Sequence, residues 1–155
     1  MRRASTARLV LLAMALVPGS AVGQDRVAQL RSRFERESDP VHKAKQMPPL
    51  GEEQFKEIRE KVRAGQIPDA LPILDQYRGE AEACAKALDD SGINAEKHSD
   101  GFKQLEISLR EALRRINEML PTMTSDEQPP FLEARTELTD VDQHLVHELF
   151  PQRPR

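Results

Sequence analysis

The sequence predicts an all-α protein, a small bundle of about four main helices whose long members are antiparallel. An N-terminal export signal is predicted to precede the bundle. Apolar residues recur every three or four positions in several segments, which is the spacing of one face of an α-helix. No segment shows the sustained alternation of apolar and polar residues that predicts a half-buried strand. Prolines and glycines separate the periodic segments where helices would begin and end.

The first 23 residues have the order of a secretory signal peptide. Three arginines precede an uncharged apolar run from Leu9 to Val17, and the small residues Ala21-Val22-Gly23 form a cleavage site. The apolar run is shorter than the roughly 20 residues that a membrane-spanning helix needs. We therefore expect residues 1–23 to be removed and the product, without an integral membrane anchor, to be periplasmic or secreted.

The rest of the chain has the size and charge of one acidic domain. Residues 24–150 are predicted to form a single helical domain and 151–155 a flexible tail. The whole chain has a formal charge of −3, and residues 1–23 carry three arginines and no acid, so the processed chain has −6. Acidic and basic residues are interspersed, which argues against nucleic acid as a partner because phosphates are bound by a concentrated basic face.

The first half of the domain is divided by prolines. Asp39-Pro40 is typical of an N-cap followed by proline at the first helical position. Pro48-Pro49 is expected to end this short helix and to start the next. Two brief apolar stripes fall in this half of the chain: Val27, Leu30 and Phe34, then Phe55, Ile58 and Val62.

A tight turn and a long helix are predicted next. Gly65 stands where a helix needs a left-handed C-terminal residue, so Gly65 to Pro68 would join two antiparallel helices. Proline fits only in the first turn of an undisturbed helix, and Pro72 therefore places the helix start near Asp69, with Asp69 as its cap. Ser91-Gly92 would end this helix.

The remaining helices are bounded in the same way. Ser99 or Asp100 would cap the next helix and Pro121 would close it, while Pro129-Pro130 would start the last helix and Pro151 would end it. The three long stripes are Leu71, Leu74, Tyr77, Ala81, Cys84 and Leu88; Phe102, Leu105, Leu109, Ala112, Leu113, Ile116, Met119 and Leu120; and Phe131, Ala134, Leu138, Val141, Leu145 and Leu149.

Residues Ala64 to Tyr77, with the sequence Ala-Gly-Gln-Ile-Pro-Asp-Ala-Leu-Pro-Ile-Leu-Asp-Gln-Tyr, resemble the turn and helix start of a tetratricopeptide-like hairpin. In that family a glycine turn precedes a helix with Ala-Leu near its start and an aromatic residue further along. The resemblance covers about one hairpin, Pro72 departs from it, and no second copy follows, whereas a solenoid needs at least three repeats. It implies a helix hairpin used for binding rather than a repeat array.

One group of residues has the character of metal ligands: Asp140, His144, His147 and Glu148. At helical spacing these four could share one side of the last helix, and imidazole and carboxylate groups suit zinc, nickel or copper. The spacing is not that of catalytic zinc motifs. The alternative interpretation is two partly exposed histidines near a helix C-terminus, where positive charge is favourable.

The same helix carries Leu138-Thr139-Asp140-Val141-Asp142-Gln143, which resembles the LTxxQ motif of small periplasmic stress and heavy-metal proteins. The run has one residue more than that motif, which rotates Gln143 by about a hundred degrees around the helix. The departure breaks the shared face of the motif.

The sequence contains no phosphate-binding glycine loop, dinucleotide fingerprint, G-x-S-x-G elbow or paired-cysteine zinc motif. Cys84 lies in register with an apolar stripe, where a thiol is usually buried and unreactive. We therefore expect that the protein is not an enzyme and binds no cofactor. We expect a non-catalytic interaction or structural module that binds another protein of the bacterial envelope or itself. The alternative is a periplasmic metal-responsive or stress-sensing protein.

Overall fold

The computed structural model describes the backbone of residues 21–151 and the side chains of residues 25–151. These residues form five α-helices, α1 (Ala21–Arg36), α2 (Pro40–Arg63), α3 (Ile67–Asp90), α4 (Asp100–Met119) and α5 (Pro129–Leu149), and a short 3-10 turn, Leu120–Thr122. No strand occurs in this part of the chain, so the all-helical prediction is confirmed. Most of the predicted signal peptide and tail lies outside the described residues. The helix count is five rather than four, because the brief stripe at Val27 to Phe34 forms a helix of its own.

Helix α2 lies at the centre of the packing. It contacts α1, α3 and α4, while α5 packs against both α3 and α4, and α3 and α4 touch each other less. Helices α2 and α4 run in the same direction, since Lys45 pairs with Asp100 at one end and Arg115 reaches the carbonyl of Glu52 further along. The helix that follows α3 in the chain thus lies mainly beside α2.

The apolar stripes are buried in one core, as predicted. All residues of the three long stripes are buried except Leu71, Leu113 and Val141, which are partly buried and pack against the core. Tyr77, Phe102 and Phe131 are the largest side chains that are fully enclosed. Burial of this apolar area is the main force that holds the five helices together.

Two predicted helix ends have the expected local chemistry. Asp39 caps α2, where its Oδ1 accepts a hydrogen bond from the backbone N–H of His42 at 2.7 Å. Gly65 has φ +70° and follows α2, with Gln66 N–H bonding to the Lys61 carbonyl and Gly65 N–H to the Val62 carbonyl. This is the Schellman arrangement, which satisfies the last carbonyls and turns the chain back into α3.

The prediction that Pro48-Pro49 separates two helices is wrong, because α2 continues through both prolines. Each proline lacks the N–H that would bond to the carbonyl four residues back, a change that costs about 3 kcal/mol in a helix interior. The residues on either side, Met47 and Leu50, are completely buried, whereas Pro49 is exposed. Burial of the flanking side chains offsets the lost backbone bonds, and the prolines face outward.

The predicted start of α3 is also wrong. The helix begins at Ile67 with Gln66 at the N-cap position, so Asp69 lies within the first turn and does not cap it. Pro72 is therefore inside the helix, on its exposed side. The hydrogen bond that Pro72 cannot donate would have gone to the carbonyl of Pro68, which lies four residues before Pro72 and near the start of the helix. Likewise Ser99 holds the N-cap position of α4 but makes no side-chain capping bond.

Three helices meet where Gly51 of α2 contacts Tyr77 of α3. A Cβ atom on Gly51 would lie 2.7 Å from Cε2 of the Tyr77 ring and 3.4 Å from Oγ of Ser108. The Tyr77 hydroxyl lies 3.0 Å from both the carbonyl oxygen and Oγ of Ser108 on α4, and it donates to the carbonyl. Burial of this hydroxyl raises the pKa of Tyr77, so the neutral donor is the form present.

We expect Gly51→Ala to destabilise the protein by about 1–2 kcal/mol, because overpacking a filled site outweighs the better helix propensity of alanine. Gly79 on α3 is the matched control, since it is exposed and has no atom within 4 Å of an added Cβ. Gly79→Ala should stabilise the protein by up to about 1 kcal/mol. Urea unfolding of the two variants measures both effects, and equal stabilisation by both would contradict the close approach at Gly51.

We expect Tyr77→Phe to lower the free energy of unfolding by about 1 kcal/mol, because it leaves the buried Ser108 hydroxyl without its partner. Combining it with Ser108→Ala should cost less than the sum of the two single changes. Strict additivity in a double-mutant cycle would show that the two side chains are not coupled.

Candidate functional site

One cavity of the described residues is a groove between the parallel helices α2 and α4. It consists of a larger part of about 440 Å³ and a smaller part of about 130 Å³, which share Phe55 and Arg115. We call the two parts together the α2–α4 groove. The larger part, the anchor end, includes Pro48, Pro49 and Glu52 of α2 with Ile107, Ser108 and Ala112 of α4. The smaller part, the basic end, includes Arg59, Val62 and Arg63 of α2 with Glu118, Met119 and Thr122 near the end of α4.

Small residues of α2 and α4 line the middle of the groove. Gly51, Ser108 and Ala112 are small and let α2 and α4 approach each other above the Tyr77 ring. Ile107 stands on the rim with 50% of its surface exposed, which makes it one of the few large apolar side chains that the core does not cover. The anchor end is therefore a mainly apolar depression beside an exposed apolar side chain, and an apolar side chain of a partner can pack there.

The floor of the groove is rigid. Phe55 is 2% exposed and packs edge-on against Tyr77, with 5.0 Å between ring centroids and an angle of 77° between ring planes. Such an edge-to-face pair is a favourable aromatic geometry. Because the Tyr77 hydroxyl is held by α4, a partner that binds here would meet a preformed surface.

Charged side chains cross the middle of the groove. Nε of Arg115 donates to Glu111 at 2.8 Å, and its Nη1 donates to the backbone carbonyl of Glu52 at 3.2 Å. Arg114 also bonds to Glu111, and it pairs with Glu118 one turn further along. The hydrogen bond from Arg114, with that from Arg115, lowers the pKa of Glu111 to about 2, so this carboxylate stays ionised and keeps both arginines engaged.

Arg59 and Arg63 at the basic end have no ion pair or hydrogen bond with any described residue, and both are exposed. They lie four positions apart on α2, so their like charges face each other on one side of the helix. The sequence does not reveal the groove, because Pro48-Pro49 predicts a helix break where the structure has a continuous helix wall. One signal was present: Ile107 is apolar but lies outside the buried stripe of its helix.

The predicted metal ligands do not converge. Nε2 of His144 lies 2.9 Å from Oδ2 of Asp89 on α3, which draws this imidazole towards the neighbouring helix. His147, Glu148 and Asp140 are exposed on α5. In the part of the chain that the structure describes, no group of three or more His, Cys, Asp or Glu residues is arranged to hold a metal ion. Metal binding by these four residues stays a prediction.

Cys84 is fully buried on α3, in the register that the sequence predicts. Burial raises the pKa of its thiol to about 12. The nucleophile and metal ligand is the thiolate, so this thiol is in its unreactive form at neutral pH.

A buried polar junction joins α1, α2 and α3. Glu80 accepts hydrogen bonds from Gln54 at 2.8 Å and from Gln76 at 3.0 Å, and it lies 3.5 Å from Nε of Arg31 on α1. Gln54 has a polar side chain but is completely buried, because it lies in register with the buried apolar residues Met47 and Ile58 of the same helix. The bond from its Nε2 to a carboxylate compensates the burial of the amide nitrogen, whereas its Oε1 is buried without a hydrogen-bond partner among the described residues. The Arg31–Glu80 pair connects α1 to this junction.

A partly buried carboxylate, Asp142 on α5, lies near the buried Glu106 and near Arg110 of α4. Its Oδ1 is buried and has no hydrogen-bond partner among the described residues. Burial raises the pKa of Asp142, the negative charge of Glu106 raises it further, and Arg110 acts in the opposite direction. Glu106 itself is paired with Arg110.

We expect Asp142→Asn to stabilise the protein at pH 7 and the gain to shrink as the pH falls. An acid whose pKa is higher in the folded state holds its proton more tightly in the folded state than in the unfolded one. Its contribution to stability therefore declines as the pH rises from the pKa of the unfolded state, about 4, through the higher pKa of the folded state. Urea unfolding of the variant and the native chain over this range measures the difference. Asp140→Asn, an exposed change on the same helix, should stay within about 0.5 kcal/mol of the native protein, and a gain for Asp142→Asn that did not vary with pH would contradict the assignment.

No protein family, curated protein or solved structure shows detectable similarity to this chain. In the described part of the chain, none of the helices has the length and apolar character needed to cross a membrane.

Proposed function

We propose that this chain is a non-catalytic, exported helical module that binds a segment of another envelope protein in the α2–α4 groove. The observation that carries the proposal is the anchor end: a preformed apolar depression next to a half-exposed Ile107. Export is inferred from the signal-peptide pattern of residues 1–23.

The size and shape of the groove favour side chains of a protein over an enclosed small molecule. Pockets that bury a small ligand usually measure about 300–1,000 Å³ and surround most of it. The anchor end has a comparable volume, about 440 Å³, but it is only partly enclosed, and it borders the basic end at Phe55 and Arg115. One or two anchoring side chains of an extended or helical segment fit such a surface, and few central anchors usually supply most of the binding energy.

The chemistry of the lining supports a non-catalytic role. Hydrogen bonds to α4 hold the Tyr77 hydroxyl, and ion pairs engage Glu111 and Arg115. The lining side chains include neither His nor Cys, so an imidazole base or a thiol nucleophile does not face the groove. The resemblance of residues 64–77 to a tetratricopeptide-like hairpin agrees with a binding role, although only Tyr77 of this segment lines the groove.

Site-specific photo-crosslinking tests this proposal in the source cells. A photoreactive amino acid at position 107 should yield one discrete adduct with another envelope protein, and so should one at Glu52 on the opposite wall. Val146 on α5 is the matched control, because it is also an exposed apolar residue and α5 contributes no side chain to the groove. An adduct from position 146 but none from 52 or 107 would move the binding face to α5, and no adduct from any of them would refute the binding role.

A further inference from the structure

We propose that the occupant of the α2–α4 groove is an acidic segment of a partner protein, which seats an apolar side chain at the anchor end and places carboxylates against Arg59 and Arg63. The inference rests on the proposed function, and it adds the chemistry of the partner. It is carried by the distribution of charge along the groove.

The cations of the groove differ in what they already bind. Arg115 is engaged by Glu111 and by the Glu52 carbonyl, with its side chain 20% exposed. Arg59 and Arg63 make no such bonds with described residues and project at the groove mouth. Each guanidinium can bind a carboxylate through two parallel N–H donors, and an anion between the two would relieve their mutual repulsion.

The anions of the groove do not fill this role. Glu118 at the basic end pairs with Arg114, as does Glu111. Glu52, at the anchor end, has no ion pair with a described residue. The groove is therefore polarised, with uncompensated positive charge at the basic end only, so the carboxylates of a bound segment would lie beside α2 near Arg63 and its apolar anchor beside Ile107.

Segments of this chain outside the described residues do not match that chemistry. Residues 1–20 and 152–155 together contain five arginines and no acidic residue, so the basic end repels them. The processed chain is acidic overall, so a local cationic site stands out against its own surface. An acidic segment of another protein is the occupant that the charges favour.

The experiment is selection of binders from a displayed library of random 12-residue peptides by the exported, processed chain. We expect the enriched peptides to combine a large apolar residue with two or more Asp or Glu residues on one side of it. A synthetic, fluorescein-labelled version of the most enriched peptide is then titrated by fluorescence anisotropy. Its affinity should fall as salt is added, because the arginines are exposed.

Variants locate the contact. The double change Arg59→Gln and Arg63→Gln should weaken binding by about tenfold or more, since it removes two charge-assisted contacts. Ile107→Glu should weaken it comparably. Two controls should bind as the native protein does: Arg33→Gln with Lys103→Gln, which removes two exposed cations outside the groove, and Val146→Glu. Urea unfolding of each variant separates loss of binding from loss of the fold.

The outcomes separate the partner chemistry from the binding role. The selection could instead enrich peptides without acidic residues, whose binding is lost in Ile107→Glu but kept in the double arginine variant. This result would overturn the inference of an acidic partner and leave the proposed function standing. Binding that none of the variants changes, or no enriched peptide at all, would overturn both.

Two further results would replace the acidic peptide by another occupant. If the chain bound phosphatidylglycerol vesicles through Arg59 and Arg63 and selected no acidic peptide, the basic end would be a membrane contact. If sedimentation showed a dimer that Ile107→Glu dissociates, the groove would be an interface between copies of this chain.

Discussion

The close approach of α2 to α3 at Gly51 is the constraint on which the rest of the structure depends. Only a residue without a side chain leaves room for the Tyr77 ring, whose Cε2 would lie 2.7 Å from an added Cβ. The ring carries its hydroxyl through to Ser108, so one side chain joins three helices in the middle of the core. Since α4 is held beside α2 at this point, the groove between them has a floor that is fixed before any partner arrives, and ordering that surface adds no cost to binding.

The two prolines of α2 have a related consequence. Pro48 and Pro49 remove backbone donors from a helix that nevertheless continues, because Met47 and Leu50 are completely buried on its inner side. Their rings form one wall of the anchor end, opposite Ile107. The same residues that weaken the helix locally therefore shape the surface that we assign to binding. Proline side chains are suited to this role, since they have little conformational freedom to lose when a partner packs against them.

Charge divides the molecule into engaged and available groups. Arg114 and Arg115 are paired with carboxylates of their own helix. Glu80 contacts one polar side chain from each of α1, α2 and α3, which are Arg31, Gln54 and Gln76. These bonds keep the framework in place. Arg59 and Arg63 are different, because no described residue pairs with them although the processed chain has more acids than bases. Charges that the fold leaves unpaired at the edge of an apolar groove steer and select a partner rather than stabilise the fold.

The sequence by itself determined the all-helical class, the long buried stripes and the main turns, because helical periodicity, Asp39 before Pro40 and a left-handed Gly65 are local properties of the chain. It misplaced the helix boundary at Pro48-Pro49, where burial of Met47 and Leu50 outweighs the local cost of proline. It also misplaced the start of α3 near Asp69, because Pro72 is tolerated on the exposed side close to the beginning of the helix. Only the tertiary structure decided that α4 lies beside α2 and that His144 turns towards Asp89 instead of meeting the other three predicted ligands. The groove belongs to this second class, since Phe55, Ile107 and Arg115 become neighbours through contacts between residues far apart in the chain.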